Sequence, residues 1–276
     1  MKSIIKRSIL FILILIVLII CTNIFMSVKN TENNEYESDI VSKSSAKALE
    51  IYNHIITNLS EKNNNDTAMI KVKNTSNLNL SQIVLYYNEL DKSEKVISDS
   101  KMELDTTLSP QDIMQVQFIP KDFTETIEIT GYTYIVEDCS VVIDLKDNDI
   151  KIWENNKYLE NSKNYEVMSI NKINQNKSEK NDSAFNVEIK NISQKNLGNI
   201  VLKVAEINKN KEIVKIDHII YNSILKPNEE AIITTSLYNS SYDIKILGYT
   251  YDDMENKSNI DIDLITHKVN IIDNTQ

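Results

Sequence analysis

Two copies of one tetrapeptide are the most specific chemical feature of this sequence. Gly-Tyr-Thr-Tyr occupies residues 131–134 and recurs unchanged at residues 248–251. A tyrosine ring has a flat apolar face and a polar tip, so exposed rings would form an aromatic surface for a glycan or a peptide. Residues two apart on a strand share one face of the sheet, and a buried face would place the rings in a core with their hydroxyls bonded to backbone at a corner. We favour this core interpretation for Tyr132, Tyr134, Tyr249 and Tyr251.

Closely spaced carboxylates are the second group that could do chemistry. They are Asp144, Asp147 and Asp149 and, in the second half, Asp261 and Asp263. Calcium needs six to eight oxygen ligands, and the calcium-loop signature with glycine at its sixth position is missing. Two carboxylates about 5 to 9 Å apart in a cleft could hydrolyse a glycan. We interpret the set as solvated charges near strand ends, and Asp252, Asp253 and Glu255 as a turn on the surface.

The histidines, serines and cysteines lack the spacing that catalysis or metal binding requires. His54, His218 and His267 stand outside any H-E-x-x-H pattern and have no cysteine or histidine at metal-ligand spacing. The sequence contains no G-x-S-x-G nucleophile motif. Cys139 has no basic neighbour that would lower its pKa, so we interpret it as a structural thiol. The sequence therefore predicts no catalytic residue, no metal site and no cofactor.

An internal repeat organises the elements that must position these residues. Comparing the chain with itself at an offset of 117 residues gives a match without a gap over residues 69–152. The facing positions include Leu108 with Leu225, Pro110 with Pro227, Cys139 with Asn256, Ile143 with Ile260, and Asp144 with Asp261. So many matches at one offset indicate that the body of the protein is two copies of one domain.

Within each copy, short apolar runs alternate with polar residues and with turn signals. Ile70 and Val72 alternate with lysines, which puts apolar side chains on one face of a strand. About seven such strands fit into each ~100 residues, with turns every 8 to 12 residues, as is typical of a β-sandwich. We therefore predict an all-β protein with two tandem immunoglobulin-like antiparallel β-sandwiches behind one N-terminal transmembrane helix. The predicted repeats are residues 47–153 and 164–272, joined by a linker at 154–163.

The segment before each copy is open to two interpretations. Apolar residues between positions 45 and 59 follow helical spacing, and this stretch contains neither Gly nor Pro. Residues 165–173 precede the second copy, are richer in β-branched residues and asparagine, and favour a first strand. Equivalent positions should adopt equivalent structure, so we favour a strand in both copies.

The N-terminal segment predicts a membrane anchor. Residues 8–28 carry no charge, and at 1.5 Å per residue they would span ~31 Å, about the hydrocarbon thickness of a bilayer. The basic residues that precede this span are Lys2, Lys6 and Arg7. The positive-inside rule then predicts that residues 1–7 are cytoplasmic and that residues 29–276 are outside, with residues 29–46 as a polar stalk. The expected location is the cell membrane, which the chain crosses once.

Two other interpretations of this segment remain open. A cleaved signal peptide would need small residues at its cleavage site, and no such pair occurs between positions 19 and 28. A lipoprotein signal would use Cys21, but Ile20 precedes it where such signals have a small residue. Both alternatives also export the rest of the chain.

The composition excludes several classes of partner. The chain has 276 residues, with 30 Lys plus Arg against 40 Asp plus Glu, and a formal net charge of −10. Such an acidic body repels phosphate backbones, so we do not expect nucleic acid as a partner. Its two cysteines cannot build a disulfide framework, because Cys21 lies in the apolar span. The sequons at Asn65, Asn74 and Asn191 need not carry sugar, because Asn, Ser and Thr are frequent here.

Several short motifs carry a resemblance, and all of them recur in both copies except Leu90-Asp91, which becomes Ile207-Asn208 in the second. They are Lys73-Asn74-x-Ser76, the strand at 83–87, Leu90-Asp91 and the Leu-x-Pro turn at 108–110, with Lys190-Asn191-x-Ser193, 200–204 and 225–227 in the second copy. In these motifs each copy resembles a family of small exported bacterial β-sandwich modules, called FxLYD-like. The resemblance implies the sandwich fold and export, and it brings no catalytic residues. The chain departs from the family at the turn glycine, near which Lys92 and Lys209 stand.

These predictions describe a membrane-anchored extracytoplasmic module that is not an enzyme. Its two β-sandwiches would bind a protein or cell-envelope partner through exposed strand edges or loops on a rigid scaffold. The alternative from another class is a cell-envelope hydrolase that uses acidic residues at the repeat ends. A third hypothesis is a structural spacer, which would lack an exposed apolar patch. Fold alone does not decide among them.

Overall fold

Sixteen β-strands form the described part of the chain, which in this computed structural model comprises residues 40–56, 67–154, 162–173, 184–236 and 242–273. Repeat 1 contains β1 (Leu49–Ile56), β2 (Thr67–Asn74), β3 (Ser81–Leu90), β4 (Val96–Leu104), β5 (Ile113–Phe118), β6 (Thr126–Val136), β7 (Cys139–Asp144) and β8 (Asp149–Glu154). Repeat 2 contains β9 (Met168–Ile173), β10 (Ala184–Asn191), β11 (Leu197–Ile207), β12 (Glu212–Tyr221), β13 (Glu230–Ser236), β14 (Asp243–Asp253), β15 (Ser258–Asp263) and β16 (Lys268–Asp273). The all-β prediction is confirmed, with eight strands in each repeat where the sequence predicts about seven.

The helical content of the described ranges is one turn of 3-10 helix at Ser162–Asn164. Across these ranges, no helix has both the length and the apolar character needed to cross a bilayer. The predicted membrane span at 8–28, the tip at 1–7 and most of the stalk at 29–46 lie outside the described residues.

β1 and β9 confirm the prediction of a first strand in each copy. β1 pairs antiparallel with β2 from Leu49 to Ile56, and β9 pairs antiparallel with β10. Apolar residues at helical spacing do not form a helix in the first segment, because pairing with β2 satisfies its backbone and buries Leu49. Tertiary context of this kind overrides local spacing.

The strands of each repeat divide into a three-stranded and a five-stranded set. In repeat 1 the five-stranded sheet has the order β4-β3-β6-β7-β8, and in repeat 2 the three-stranded sheet has the order β13-β10-β9. The other two sets join into one eight-stranded sheet, β1-β2-β5-β12-β11-β14-β15-β16. β5 and β12 pair in parallel through Ile113 with Glu212 and Met114 with Ile213, whereas the other described pairings are antiparallel. We call this meeting of the repeats the junction.

Apolar side chains on one face of each sheet form two clusters. β2 alternates between buried and half-buried residues over its whole length, with Ile70 among its buried positions. One cluster contains residues from both sheets of repeat 1, and the second does the same for repeat 2. Three residues of repeat 2, Ala205, Ile213 and Leu247, belong to the repeat 1 cluster. The apolar core of repeat 1 therefore extends across the junction.

Polar side chains surround the junction. The contacts that cross it include Lys71 with Glu212, Gln115 with Glu212, Lys203 with Asp105, Lys245 with Asp112, and Thr107 with Asp263. The Lys71 Nζ atom lies 2.6 Å from Glu212 Oε1. Burial alone would raise the pKa of the Glu212 carboxyl, but the Lys71 ammonium and the amides of Asn208 and Gln115 hold this pKa below its usual value. These charges occupy the interface between the repeats.

The two repeats correspond at an offset of 117 from the second to the sixth strand and at an offset of 119 in the first strand and in the last two. β6 and β14 begin at Thr126 and Asp243, which keeps the offset of 117. β7 and β15 begin at Cys139 and Ser258, which makes the offset 119. The gapless alignment is therefore wrong beyond β6, and Asp144 corresponds to Asp263 rather than to Asp261.

The shift in the last two strands arises in one hairpin. Val136 pairs with Cys139 across a two-residue turn between β6 and β7, whereas Asp253 pairs with Ser258 across a four-residue turn between β14 and β15. Residues 260–263 of β15 read Ile-Asp-Ile-Asp, so a slip of two residues leaves isoleucine and aspartate matched. Because a strand repeats its pattern every two residues, the sequence comparison could not detect the insertion.

Candidate functional site

The four tyrosines of the repeated tetrapeptide lie in the cores. Tyr132, Tyr134, Tyr249 and Tyr251 are fully buried. The Tyr134 hydroxyl donates to the Ala46 carbonyl at 2.7 Å, and the Tyr251 hydroxyl donates to the Tyr165 carbonyl at 3.2 Å. Burial raises the pKa of Tyr132 and of Tyr249 to about 12. The core interpretation is confirmed, and these rings offer no surface to a glycan.

The aspartates at the repeat ends close turns. Asp144 Oδ1 accepts from two following backbone amides, both at 2.9 Å, and Asp263 Oδ1 does the same at 2.7 and 3.0 Å. Asp147 and Asp149 are exposed, as predicted. Within the described residues, no group of three or more His, Cys, Asp or Glu side chains could hold a metal ion.

Asp253 is buried, and its assignment to the surface is wrong. It is 2% exposed, lies 2.6 Å from Lys195 Nζ and accepts backbone hydrogen bonds from Glu255 and Asn256. Burial would raise the pKa of this carboxyl, but the Lys195 ammonium and the turn amides hold it below its ordinary value. Its counterpart in repeat 1 is the apolar Val136. The longer turn between β14 and β15 is therefore capped by an aspartate that repeat 1 lacks.

The histidines and the cysteine form no catalytic arrangement within the described residues. His218 Nε2 lies 3.1 Å from Asp105 Oδ2, and His267 Nδ1 lies 3.2 Å from Glu166 Oε1. The His54 side chain lies outside the described residues. Cys139 is buried in the repeat 1 core, and its position in repeat 2 is taken by Ser258 rather than by Asn256.

The sequon asparagines Asn74 and Asn191 are buried. The Asn74 amide donates to the Leu78 carbonyl at 2.7 Å and to the Leu108 carbonyl at 2.9 Å. Because both amide hydrogens are engaged in the interior, this nitrogen cannot carry a sugar. Asn65 lies outside the described residues.

Exposed aromatic residues lie on the outer face of the five-stranded sheet of repeat 1. Tyr86 in β3 is 38% exposed and Trp153 in β8 is 45% exposed. Together with Val84, Ile135 and Val142 they line a shallow groove of about 670 Å³. We call these five residues the aromatic face. The polar side chains that flank it include Gln82, Glu103, Asp105, Thr133 and Ser140.

The sheet register fixes how the aromatic face is laid out. Trp153 pairs with Ser140, and Val84 and Val142 pair with Thr133 from its two sides. β3 and β8 are three strand steps apart, which puts Tyr86 and Trp153 roughly 14 Å apart across the sheet. The face therefore presents an apolar strip between two aromatic rings.

Repeat 2 lacks this face. The counterparts of Tyr86, Ile135, Val142 and Trp153 are Lys203, Asp252, Asp261 and Ile272. Three of the four are charged, and Lys203 lies 2.7 Å from Asp105 at the junction. The shared architecture therefore does not require aromatic residues at these positions. In repeat 2, two of the charged counterparts, Lys203 and Asp261, line the cleft between the repeats.

A cleft between the repeats adjoins the aromatic face. It has a volume of about 150 Å³ and shares Gln82, Leu104, Asp105 and Ile135 with the groove. Asp261 lines the cleft and is half-buried rather than solvated as predicted, and this burial raises the pKa of its carboxyl. Asp263 also lines the cleft, but one of its oxygens caps a turn and the other accepts from Thr107. The acid pair that a hydrolase needs is therefore partly committed to structure.

No protein-family model matches the chain, and no curated protein matches its sequence. Among solved structures, the chain is similar to red sea bream transglutaminase at 8% identity with a TM-score of 0.23, over 82% of this chain and 31% of that chain. It is also similar to a chain of the chaperone–tip adhesin complex of CFA/I fimbriae biogenesis at 12% identity with a TM-score of 0.17, over 74% and 93%. The chain thus spans about a third of the length of the transglutaminase.

Proposed function

We propose that this protein is a membrane-anchored, extracytoplasmic binding module without enzymatic activity. Two immunoglobulin-like β-sandwiches, similar to FxLYD-like modules, would bind a protein or cell-envelope partner. The observation that carries this proposal is the aromatic face of repeat 1, which repeat 2 replaces by charge. Exposed aromatic rings around an apolar strip with a polar rim have the composition of a recognition surface.

The apolar N-terminal segment supports the anchor. Residues 8–28 are uncharged and long enough to cross a bilayer, with basic residues before them. The sandwich architecture is supported by the shared cluster of buried residues between the two sheets of each repeat. Protease treatment of intact cells tests this arrangement, because residues 29–276 should be cleaved without lysis.

The commitment of carboxylates to structural contacts favours binding over hydrolysis. Asp144 and Asp263 cap turns, and Asp105 faces Lys203 and His218. A glycosidase needs one carboxyl as acid and a second as base or nucleophile. With these groups engaged, the described residues support the binding function better than the hydrolase alternative.

Photo-crosslinking in the native membrane tests the binding function. A photoreactive amino acid is placed at Trp153 or Tyr86 of the full chain, and at Ile272 as a matched control. Ile272 is 52% exposed and occupies the position of Trp153 in repeat 2. We expect one adduct at the two aromatic positions and no such adduct at Ile272. An equal adduct at Ile272, or no adduct at any position, would contradict the proposal.

A further inference from the structure

The two repeats differ in what covers one edge strand. In repeat 1, β5 lies at the edge of its three-stranded set and is covered by β12 of repeat 2. β13 is the equivalent strand of repeat 2, and its one neighbour within the described residues is β10. An uncovered edge presents backbone donors and acceptors that can pair with another chain.

The side chains near this edge differ in polarity between the two repeats. Thr107 and Gln115 of repeat 1 contact Asp263 and Glu212 across the junction. Their counterparts in repeat 2 are Ile224 and Ile232, both more than half exposed, with Ile232 at 61%. Positions that are polar and in contact in repeat 1 are thus apolar and open to solvent in repeat 2. Exposed isoleucines beside an open strand indicate a surface that another molecule covers.

β13 also lacks the devices that protect edge strands. Its sequence, Glu-Ala-Ile-Ile-Thr-Thr-Ser, contains no proline and no lysine, and its pairing with β10 is regular over Ala184–Lys190. Glu230 at its start is paired with Lys190 at 2.7 Å, so its charge is already partly neutralised. The remainder of the strand is uncharged and β-branched or small, as is typical of a strand that pairs on both sides.

We propose that β13 pairs with β13 of a second copy of this chain, antiparallel about a two-fold axis at Ile232. The two three-stranded sheets would then join into one of six strands, as β5 and β12 join two sheets within one chain. The antiparallel arrangement places Glu230 opposite Thr234 of the second copy, whereas a parallel one would place the two Glu230 side chains together.

A second copy could instead meet β13 in the way that β12 meets β5 at the junction, but the polar residues of repeat 1 disfavour that arrangement. That arrangement would place β13 against β4, the repeat 1 counterpart of β12. The apolar residues that repeat 2 offers at the junction include Ala205, Ile216 and Leu247. Their repeat 1 counterparts are Asn88, Asp99 and Thr130. On the β4 side, repeat 1 offers only Val96, the counterpart of Ile213, beside these polar residues, whereas a second β13 edge supplies the same exposed isoleucines.

Sedimentation of the full chain in detergent tests the proposal. We expect a dimer, and we expect Ile232→Lys to weaken it roughly tenfold, because the substitution removes the contact between the two isoleucines and places two like charges directly opposite each other. Ile272→Lys is the control, since Ile272 is similarly exposed but lies on β16. Thermal unfolding of both variants should remain near wild type, because both side chains are more than half exposed.

Crosslinking in intact cells provides a second readout. Ile232→Cys in a Cys21→Ser background should form a covalent dimer on oxidation or with a short bismaleimide, because residues directly opposite on antiparallel strands lie close together. Cys139 is buried and should stay unreacted. A monomeric chain, an open-ended series of oligomers, or a dimer that Ile272→Lys dissociates and Ile232→Lys does not, would each overturn the proposal.

Discussion

Asn74 and Asn191 hold the same loop in the two repeats through the same hydrogen bonds. Each amide donates to two carbonyls, those of Leu78 and Leu108 in repeat 1, and each side-chain oxygen accepts from a serine two residues later. This arrangement explains why asparagine-x-serine recurs in both copies. A buried amide that both donates and accepts has few substitutes.

Replacing Asn74 by aspartate should destabilise the protein by about 3 kcal/mol. The substitution removes both donors and turns a carboxylate oxygen toward the two carbonyls, away from water. Urea denaturation should show the same loss for Asn191→Asp. The exposed control Asn222→Asp should stay within about 0.5 kcal/mol of wild type. Equal stability of Asn74→Asp and wild type would contradict the role given to this amide.

Asp261 should make stability depend on pH with the sign of an acid whose pKa is raised in the folded state. Burial raises the pKa of its carboxyl, and Asp263 and Asp105 raise it further, while Lys203 and His218 lower it. A raised pKa means that the stabilising contribution is complete below the unfolded value and is lost as pH rises through the folded value. We therefore expect Asp261→Asn to raise the melting temperature at pH 7 and to change it much less at pH 4.

Asp149→Asn serves as the control for this effect, because Asp149 is exposed. It should leave the melting temperature unchanged at both pH values. A lower melting temperature for Asp261→Asn at pH 7 would show that the ionised Asp261 stabilises the fold.

For single residues, the sequence predicts which side chains share one face of a strand. It does not predict which side chains come together from different strands. Tyr132 and Tyr134 lie two apart, so their common burial follows from strand periodicity alone. Tyr86 and Trp153 lie on strands that are three steps apart in the sheet and far apart in sequence. Comparing the outward positions of the two repeats would have found the aromatic face, because that comparison isolates what differs.

Gly131 and Gly248 are required where the backbone of one strand approaches the next. A β-carbon on Gly131 would lie 2.6 Å from the Ile143 carbonyl oxygen, and one on Gly248 would meet the Ile262 carbonyl oxygen. Both glycines lie beside irregular pairing, between β3 and β6 and between β11 and β14. The close approach explains why glycine is present here in a chain with only three glycines.

Replacing Gly131 by alanine should destabilise the protein by about 2 kcal/mol or more, because a backbone carbonyl must shift to admit the methyl group. Gly198→Ala is the matched control. Its β-carbon would meet Met254 Sδ at 2.7 Å, and that flexible side chain can move aside. Chemical denaturation should therefore rank Gly131→Ala well below Gly198→Ala. Equal losses would show that the two glycines have the same role.

The strands themselves could be predicted, but the insertion between them could not. Alternating patterns and turn residues indicate the strands of both copies, because one face of each is buried. The longer β14–β15 turn leaves no mark in the alignment, since residues 260–263 match at either offset. Asp253 is the residue that reveals it, because an aspartate replaces the buried Val136 and caps the turn.

The junction should make the two repeats unfold as one unit. Ile213 of repeat 2 is buried in the repeat 1 core, and β12 continues the sheet that contains β5. We expect one calorimetric transition for the full chain and two for Ile213→Lys, because a buried lysine would separate the cores. The control is Val96→Lys, since Val96 is the half-exposed counterpart of Ile213 and should leave one transition. Two transitions in the unmodified chain would contradict this coupling.

The junction could not be predicted from the sequence. Lys71 and Glu212 have the pattern of ordinary surface charges, and they form their ion pair only when the two repeats meet. The parallel ladder between β5 and β12 involves two residue pairs, which is too short for a hydrophobic pattern to specify. Duplication alone predicts two equivalent bodies, whereas among the described strands one edge strand has a cover and its equivalent has none.

The placement of β1 and β16 at opposite edges of the eight-stranded sheet has a mechanical consequence. A force that pulls the two ends of the folded region apart would act across all eight strands of that sheet. Its weakest link is the two-residue ladder of β5 with β12, because the antiparallel ladders on either side hold at least six pairs each. Rupture would begin there, before any antiparallel ladder of either repeat opens, and it would expose the part of the repeat 1 core that Ala205, Ile213 and Leu247 cover.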